Sequence, residues 1–354
     1  MAPPMTWRSR LIAIGFGLLL SLAIMEAVLR IAMPHWRDFH SGHFMTMTAV
    51  PGHGAVVIGR PGFDGYFAQN NGDFRVRIAI NAFGLRNPDS VDGAQGRFWA
   101  IGDSMTFGWG VELEETYSAV AERISGMPAY NIASPGTDIC GYEALVARMP
   151  KNLAPKAVTV GLVLENDVND YDCVAKARAQ EREIAGGRGA ADAGLLGLKK
   201  FLTENLALYN FFAVSLKRVD LLNRLLLAVG LASRPHAQTH EINASAIDGM
   251  SASTAEELKK LKGMLTLETP FAVLIIPSRF EIRDNDEVSR RLRLAVVAAL
   301  AARSIDTIDV SAALTKAGFT DTHFTHDGHW TPLGHRIAGE ALAAWQRSVV
   351  SRTP

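Results

Sequence analysis

The stretch FWAIGDSMTFGWG, residues 98–110, runs four apolar or aromatic residues into Gly102-Asp103-Ser104. Glycine permits a sharp strand-to-helix turn, and Ser104 then sits near a helix start. There the helix dipole and free N–H groups favour a developing negative charge. That suits a nucleophile, but serine is also a common helix cap, so the tripeptide alone leaves both roles open. Three other segments carry reactive groups. NIASPGTD brings Gly136, whose backbone N–H has no side chain in the way. LENDVND brings Asn166, with Asp167 and Asn169 as rivals. HFTHDGHWTPLGH holds His323, His326, His329 and His335. So dense a histidine group suggests a metal. Yet its spacing falls in a loop, and His335 lies beyond a proline that starts a helix. The other reading is one general base with a carboxylate: Asp327, two residues before His329, is close enough to orient the imidazole and stabilise its protonated form.

These segments need a frame. From residue 97, short apolar runs alternate with helical stretches: 98–102, 129–132, 157–164, 271–277 and 305–310 read as strands, and 114–125, 138–149, 286–303 and 332–347 as helices. Continuous apolar strands alternating with helices predict a parallel sheet covered on both faces. Ligands bind such sheets at the carboxyl ends of the strands, where Ser104, Gly136, Asn166 and the Asp327/His329 pair all fall. About a hundred residues separate the third and fourth strands. They include a low-complexity stretch, 181–194, and a strongly apolar stretch at helical spacing, 198–232. These read either as an inserted helical subdomain capping the site or leaning on a membrane, or as a helical pair completing the same core. Upstream, FRVRIAINAFGLRNP (74–88) alternates as a half-exposed strand and then turns, while 35–70 reads as a linker or irregular lead-in.

Ser after the first strand, Gly after the second, Asn after the third and Asp/His after the last is an order that resembles the SGNH, or GDSL-type, hydrolases, from about residue 97 to 347 apart from the insertion. The resemblance implies an α/β fold: a three-layer α/β/α flavodoxin-like sandwich with a mainly parallel five-stranded sheet, a helical insertion and an N-terminal transmembrane helix. It implies that Ser104 attacks an ester carbonyl, His329 moves the proton and Asp327 holds His329. The oxyanion would sit among the N–H groups of Ser104 and Gly136 and the Asn166 amide. Asp103 would fix the turn, and no metal or organic cofactor is required. One departure stands out. The commonest last block places Asp three residues before His, where this chain has His326; the two-residue spacing resembles the alginate O-acetyltransferase-type branch. The membrane lead-in, INAFGLRNP and IIPSRFE look like the membrane-anchored bacterial branch.

The N-terminus supplies that lead-in. LIAIGFGLLLSLAIM (11–25) is uninterrupted and apolar, and extended to Met33 it reaches the ~20 residues that cross a bilayer. Glu26 and Arg30, four apart, can pair on one helix face near the interface. No convincing small-x-small cleavage site follows, which favours an uncleaved anchor over a signal peptide or a core helix. Arg8 and Arg10 favour a cytoplasmic N-terminus, weakened by Arg30 and Arg37, so the remainder is expected outside the inner membrane, periplasmic or otherwise extracytoplasmic. The expected division is 1–34 anchor, 35–96 lead-in with a β element, and 97–350 hydrolase domain with a helical insertion at about 175–265.

Composition narrows the partners. The 354-residue chain is 48% hydrophobic, carries 20% charged residues and has zero formal net charge, which argues against nucleic acid. The two cysteines, Cys140 and Cys173, have no zinc-type spacing. They read as two buried free thiols, with a disulfide bracing the two oxyanion loops as the alternative. Trp99, Trp109 and Trp330 lie near the expected crevice and read as core packing, with stacking on a sugar ring as the alternative. Three functions follow: an esterase acting on an ester-bearing small molecule or an O-acetyl group of an envelope polysaccharide, an O-acyltransferase working beside a membrane acyl-donor protein, or an inactive carbohydrate-binding scaffold.

Overall fold

The computed structural model describes residues 6–69, 72–186, 198, 201–215, 244–266 and 268–351. The stretch expected as an irregular lead-in is strand instead. β1 (Met45–Val50) and β2 (Gly54–Gly59) form one antiparallel hairpin, and β3 (Asp64–Ala68) pairs with β4 (Arg75–Ala79) in a second. The alternation is there in GAVVIG, but its glycines and the methionines of β1 mute it. The left-handed glycines 52 and 54 make the β1–β2 turn.

Each of the five apolar runs read as strands becomes one: β5 (Phe98–Gly102), β6 (Ala129–Ala133), β7 (Ala157–Val163), β8 (Phe271–Ile276) and β9 (Asp306–Asp309). They form one parallel sheet in the order β6-β5-β7-β8-β9. Alternate side chains feed two cores. Trp99, Ile101, Val160 and Val273 pack with Leu145, Leu258 and Val296, from the helices Ile139–Arg148, Ile247–Gly263 and Glu287–Ala301. Phe98, Ala100, Ala272 and Leu274 pack on the other face with Tyr117, Leu314 and Leu342, from Tyr117–Ser125, Ser311–Ala317 and Pro332–Val350. The result is the three-layer α/β/α sandwich with a flavodoxin-like strand order. That order reverses between β5 and β7, which is where such a sheet opens a ligand crevice.

The chain divides into two compact units. The sheet unit comprises 41–187 and 234–354. The β7–β8 connection is therefore not wholly an insertion: Ile247–Gly263 packs beside Glu287–Ala301 in the outer layer, and Cys173–Gly186 packs on β2, where Gln180 Oε1 accepts the Ala55 N–H at 3.0 Å. The other unit comprises 1–40 and 188–233. Its helix Trp7–Ala32 is long and apolar enough to cross a membrane, and none of it is buried. The Glu26–Arg30 pair forms at 2.7 Å as the spacing anticipates. Glu26 also accepts the N–H groups of Ala207 (3.0 Å) and Leu208 (2.7 Å), so it caps the Ala207–Ser215 helix, while Arg30 donates to the Asn205 carbonyl at 2.7 Å. The described part of the apolar stretch is thus tied to the N-terminal helix. Residues 187–197, which include the end of the low-complexity stretch, and residues 199–200 and 216–243 lie outside the described residues.

Candidate active site

The strand-to-helix turn after β5 explains its own sequence. A Cβ at Gly102 would meet the Thr106 side chain and come within 3.1 Å of the Gly161 carbonyl. Only glycine allows the Ser104–Phe107 helix to fold back that closely on the sheet. The capping role that Ser104 could have played belongs to Asp103, whose Oδ1 accepts the Met105 N–H at 2.9 Å. Ser104 is left as the first helical residue with its hydroxyl engaged elsewhere: Oγ lies 2.8 Å from His329 Nε2.

His329 Nδ1 is held by Asp327 Oδ1. The other oxygen, Oδ2, receives the Gln69 amide and, at 3.4 Å, the Trp109 indole N–H. Burial raises the Asp327 carboxyl, but the charge and hydrogen bond of His329 and the Trp109 N–H outweigh it, and Asp327 ends below its ordinary value. Burial likewise disfavours the imidazolium of His329. The Asp327 carboxylate more than offsets this, and His329 ends above its ordinary value. A hydroxyl bonded to an imidazole whose far nitrogen is fixed by a carboxylate can lose its proton to that imidazole as it attacks.

The other three histidines separate. His335 is fully buried, with Nδ1 accepting the Tyr117 N–H at 3.3 Å, and burial drives it down to about 3. His323 stacks on Phe319 at 4.5 Å and is driven down to about 4, also by burial. His326 pairs through Nδ1 with Asp73 at 2.8 Å.

Asn166 lines the same cavity as Ser104, Asp103 and His329. Its Nδ2 is engaged only at 3.5 Å, with Asp103 Oδ2, and its buried Oδ1 makes no hydrogen bond. Its rivals point to other duties. Asp167 is fully buried and accepts from Tyr142 Oη and the Val163 N–H, both at 2.8 Å. Asn169 bonds its own loop and Thr254. Burial pushes Asp103 up to about 6, although the Met105 N–H and the nearby His329 pull it back. Gly136 departs from the expected arrangement. Its strand ends beside the serine's, with the Ser134 N–H on the Gly102 carbonyl at 3.1 Å. Gly136 itself takes a left-handed turn (φ +75°) at the surface and lines a second cleft, with Thr137, Cys140 and Cys173. Two of the three expected oxyanion donors therefore share the cavity.

The cysteines correct a second expectation. Cys140 and Cys173 are joined by a disulfide, not left as free thiols, linking the Ile139–Arg148 helix to Cys173–Gly186. Two tryptophans are core, as expected: Trp99 and Trp330 are buried. Trp109 packs at the edge of a core and does not line the cavity. It stacks on His329 at 5.6 Å and packs edge-on against Phe67 at 4.4 Å.

That contact reveals what the lead-in does. Phe44, Phe67, Phe74 and Phe107 build an aromatic core under the turn that carries Ser104, with Trp109 and Phe324 at its edge. Gln69 and Asp73, from the connection between β3 and β4, reach Asp327 and His326. The INAFGLRNP segment then pins the turn from below. Arg86, 1% exposed, donates to the carbonyls of Phe107, Gly108, Val111 and Arg77 at 2.7–3.2 Å. Burial lowers it only to about 10, so it stays charged. Asn87 clamps the Asn131 backbone at 2.8 and 2.9 Å. None of this was visible in the sequence, because all of these bonds but the one from Arg86 to Arg77 join residues more than twenty apart.

Fold and site together define a doubly wound α/β protein with a Ser-His-Asp array at the switch point of its sheet. No family model matches the sequence, and no curated protein matches it. Solved structures are similar. A member of the lipolytic G-D-S-L family from Veillonella parvula is 14% identical, with 72% of this chain and 98% of that one covered at a TM-score of 0.38. A lipase/acylhydrolase from Enterococcus faecalis is 13% identical, covering 72% and 96% at 0.39. A carbohydrate esterase family 2 enzyme with a carbohydrate-binding domain, from Corynascus thermopiles (Myceliophthora fergusii), is 13% identical, covering 72% and 67% at 0.39.

Proposed function

We propose that this protein is a membrane-anchored serine esterase of the SGNH type that removes a short acyl group, an O-acetyl group above all, from a cell-envelope molecule. The observation that carries the reading is the continuous chain Ser104 Oγ–His329–Asp327 at the mouth of a small cavity. Ser104 attacks the ester carbonyl, and its proton passes to His329 Nε2. Asp327 stabilises the imidazolium that forms. The Ser104 N–H and the loosely engaged Asn166 amide stabilise the oxyanion. His329 then protonates the leaving alkoxide, and water repeats the sequence on the acyl-serine. The acyl group passes to Ser104 and then to water, with the protons moved by His329 and the charges stabilised by the chain's own groups.

The short acyl group is argued from size. The cavity beside Ser104 has a volume of about 50 Å³. The envelope target is argued from the N-terminal helix, which would hold the site near a membrane surface, and from the disulfide, which suits an oxidising compartment. The same helix favours a second reading, an O-acyltransferase in which a sugar hydroxyl replaces water. Incubating the purified chain with acetylated envelope polysaccharide, with and without a sugar acceptor, tests both. Free acetate supports the esterase, and acetylated acceptor supports the transferase. With neither product, only the inactive scaffold remains.

A further inference from the structure

We propose that Arg279, clamped by Glu165, is the wall that limits the length of the acyl group Ser104 accepts; this rests on the ester-cleaving reading above. The cavity, at about 50 Å³, is far smaller than the roughly 300–1,000 Å³ of pockets that take larger ligands. Val163 and Pro277 contribute apolar lining, and Arg279 and Glu165 complete it away from the serine's own turn.

Two elements fix the pair. Glu165 follows β7, and Arg279 starts the short helix Arg279–Asp284 after β8. Glu165 Oε1 accepts the Arg279 backbone N–H at 2.6 Å and the Ser278 hydroxyl at 3.3 Å, and Oε2 lies 3.2 Å from Arg279 Nε. Both side chains are largely buried, 15% and 10% exposed. From this anchor the guanidinium reaches the opposite wall. A Cβ on Gly328 would run into Arg279 Nη1, with Arg279 Cζ at 3.2 Å and Cδ at 3.3 Å. Gly328 sits between Asp327 and His329, so the arginine fills the space left by the one residue of the acid–base loop that has no side chain. Arg279 thus spans from the β7 loop to the catalytic loop and lines the cavity between them.

A substrate could extend past this wall only by parting a mostly dry ion pair, which would leave a buried charge uncompensated. An acetyl group would not have to. The charge of Arg279 also opposes protonation of His329 and His323, consistent with a guanidinium held close to the reacting groups.

The test compares kcat/KM for p-nitrophenyl acetate, butyrate and octanoate in the full chain in detergent, for wild type, Arg279→Ala and Arg279→Met. Each methylene in a shaped pocket is worth about 10–200-fold, so the butyrate-to-acetate ratio should rise at least tenfold in Arg279→Ala. Methionine removes the ion pair but keeps part of the bulk, so its ratio should rise by clearly less than that of Arg279→Ala. A ratio in Arg279→Ala within about twofold of wild type overturns the wall, as does an equal rise in both variants, which would assign selectivity to charge. Should Arg279→Ala fail to fold, Glu165→Gln loosens the same clamp; its ratio should move the same way, and an unchanged ratio overturns the proposal. Wild-type protein that cleaves none of the three esters would instead overturn the ester-cleaving reading itself.

Discussion

Asp327→Asn is the perturbation whose outcome the site dictates most closely. In the wild type, Asp327 Oδ2 accepts from Gln69 and Trp109, while Oδ1 faces His329 Nδ1. Asparagine has a single acceptor oxygen. Two donors, Gln69 and Trp109, claim it, so the new NH2 group turns toward His329 Nδ1. The imidazole must then accept at Nδ1 and carry its proton on Nε2, the nitrogen that should take the proton from Ser104. This wrong tautomer typically costs about 10⁴ in kcat, equivalent to roughly 5.5 kcal/mol of barrier. A second signature is independent of the rate. Asp327 is what lifts His329 above its ordinary value, against burial, so the acid limb of kcat/KM should move to lower pH in the variant. Stability follows the same groups with defined signs. The raised His329 contributes stability that is present below the ordinary histidine value and is lost as pH rises through its folded pKa. The lowered Asp327 contributes stability that is present above the ordinary carboxylate value and is lost as pH falls through its folded pKa. The variant should therefore lose the fall in Tm that the wild type shows as pH rises above the ordinary histidine value. The assay is p-nitrophenyl acetate hydrolysis from pH 4.5 to 9, with melting curves alongside. A variant that keeps more than about a tenth of wild-type kcat with an unmoved acid limb would refute the reasoning.

Further outcomes follow from other contacts. Asn166→Ala should lower kcat by about 10²–10³ with little change in KM, because its amide is recruited only when the oxyanion forms; a change confined to KM would remove it from that role. Cys140→Ser with Cys173→Ser opens a crosslink spanning 33 residues, worth about 3–4 kcal/mol by loop entropy, and Tm should fall by about 6–7 °C. Identical melting curves with and without reductant would contradict the crosslink.

What the chain disclosed in advance has a physical pattern. Strands buried on both faces must be apolar along their length, so the five sheet strands stood out, and their ends pointed to Ser104, Asn166, Asp327 and His329. Gly136 shows the limit of that logic. Falling after a strand brings a residue to the right edge of the sheet, but its own turn decides which cleft it lines. The lead-in was opaque because β1 and β2 alternate weakly and their contribution is made at long range. Gln69 and Trp109 are separated from Asp327 by 258 and 218 residues. The Cys140–Cys173 bond was legible only as an alternative, since it depends on how Cys173–Gly186 folds back onto the sheet unit. Arg279 lay within IIPSRFE, a segment visible in the sequence, but its role required seeing Gly328 opposite it.

The central claim, that Ser104 is a nucleophile and not a helix cap, is tested most directly by Ser104→Ala. Asp103 already caps the helix, and Ser104 contributes one hydroxyl at the cavity. The account predicts that p-nitrophenyl acetate hydrolysis falls to the uncatalysed background while Tm stays within about 1–2 °C of wild type, as for a substitution that costs under ~0.5 kcal/mol. Hydrolysis retained at a rate comparable to wild type would contradict it.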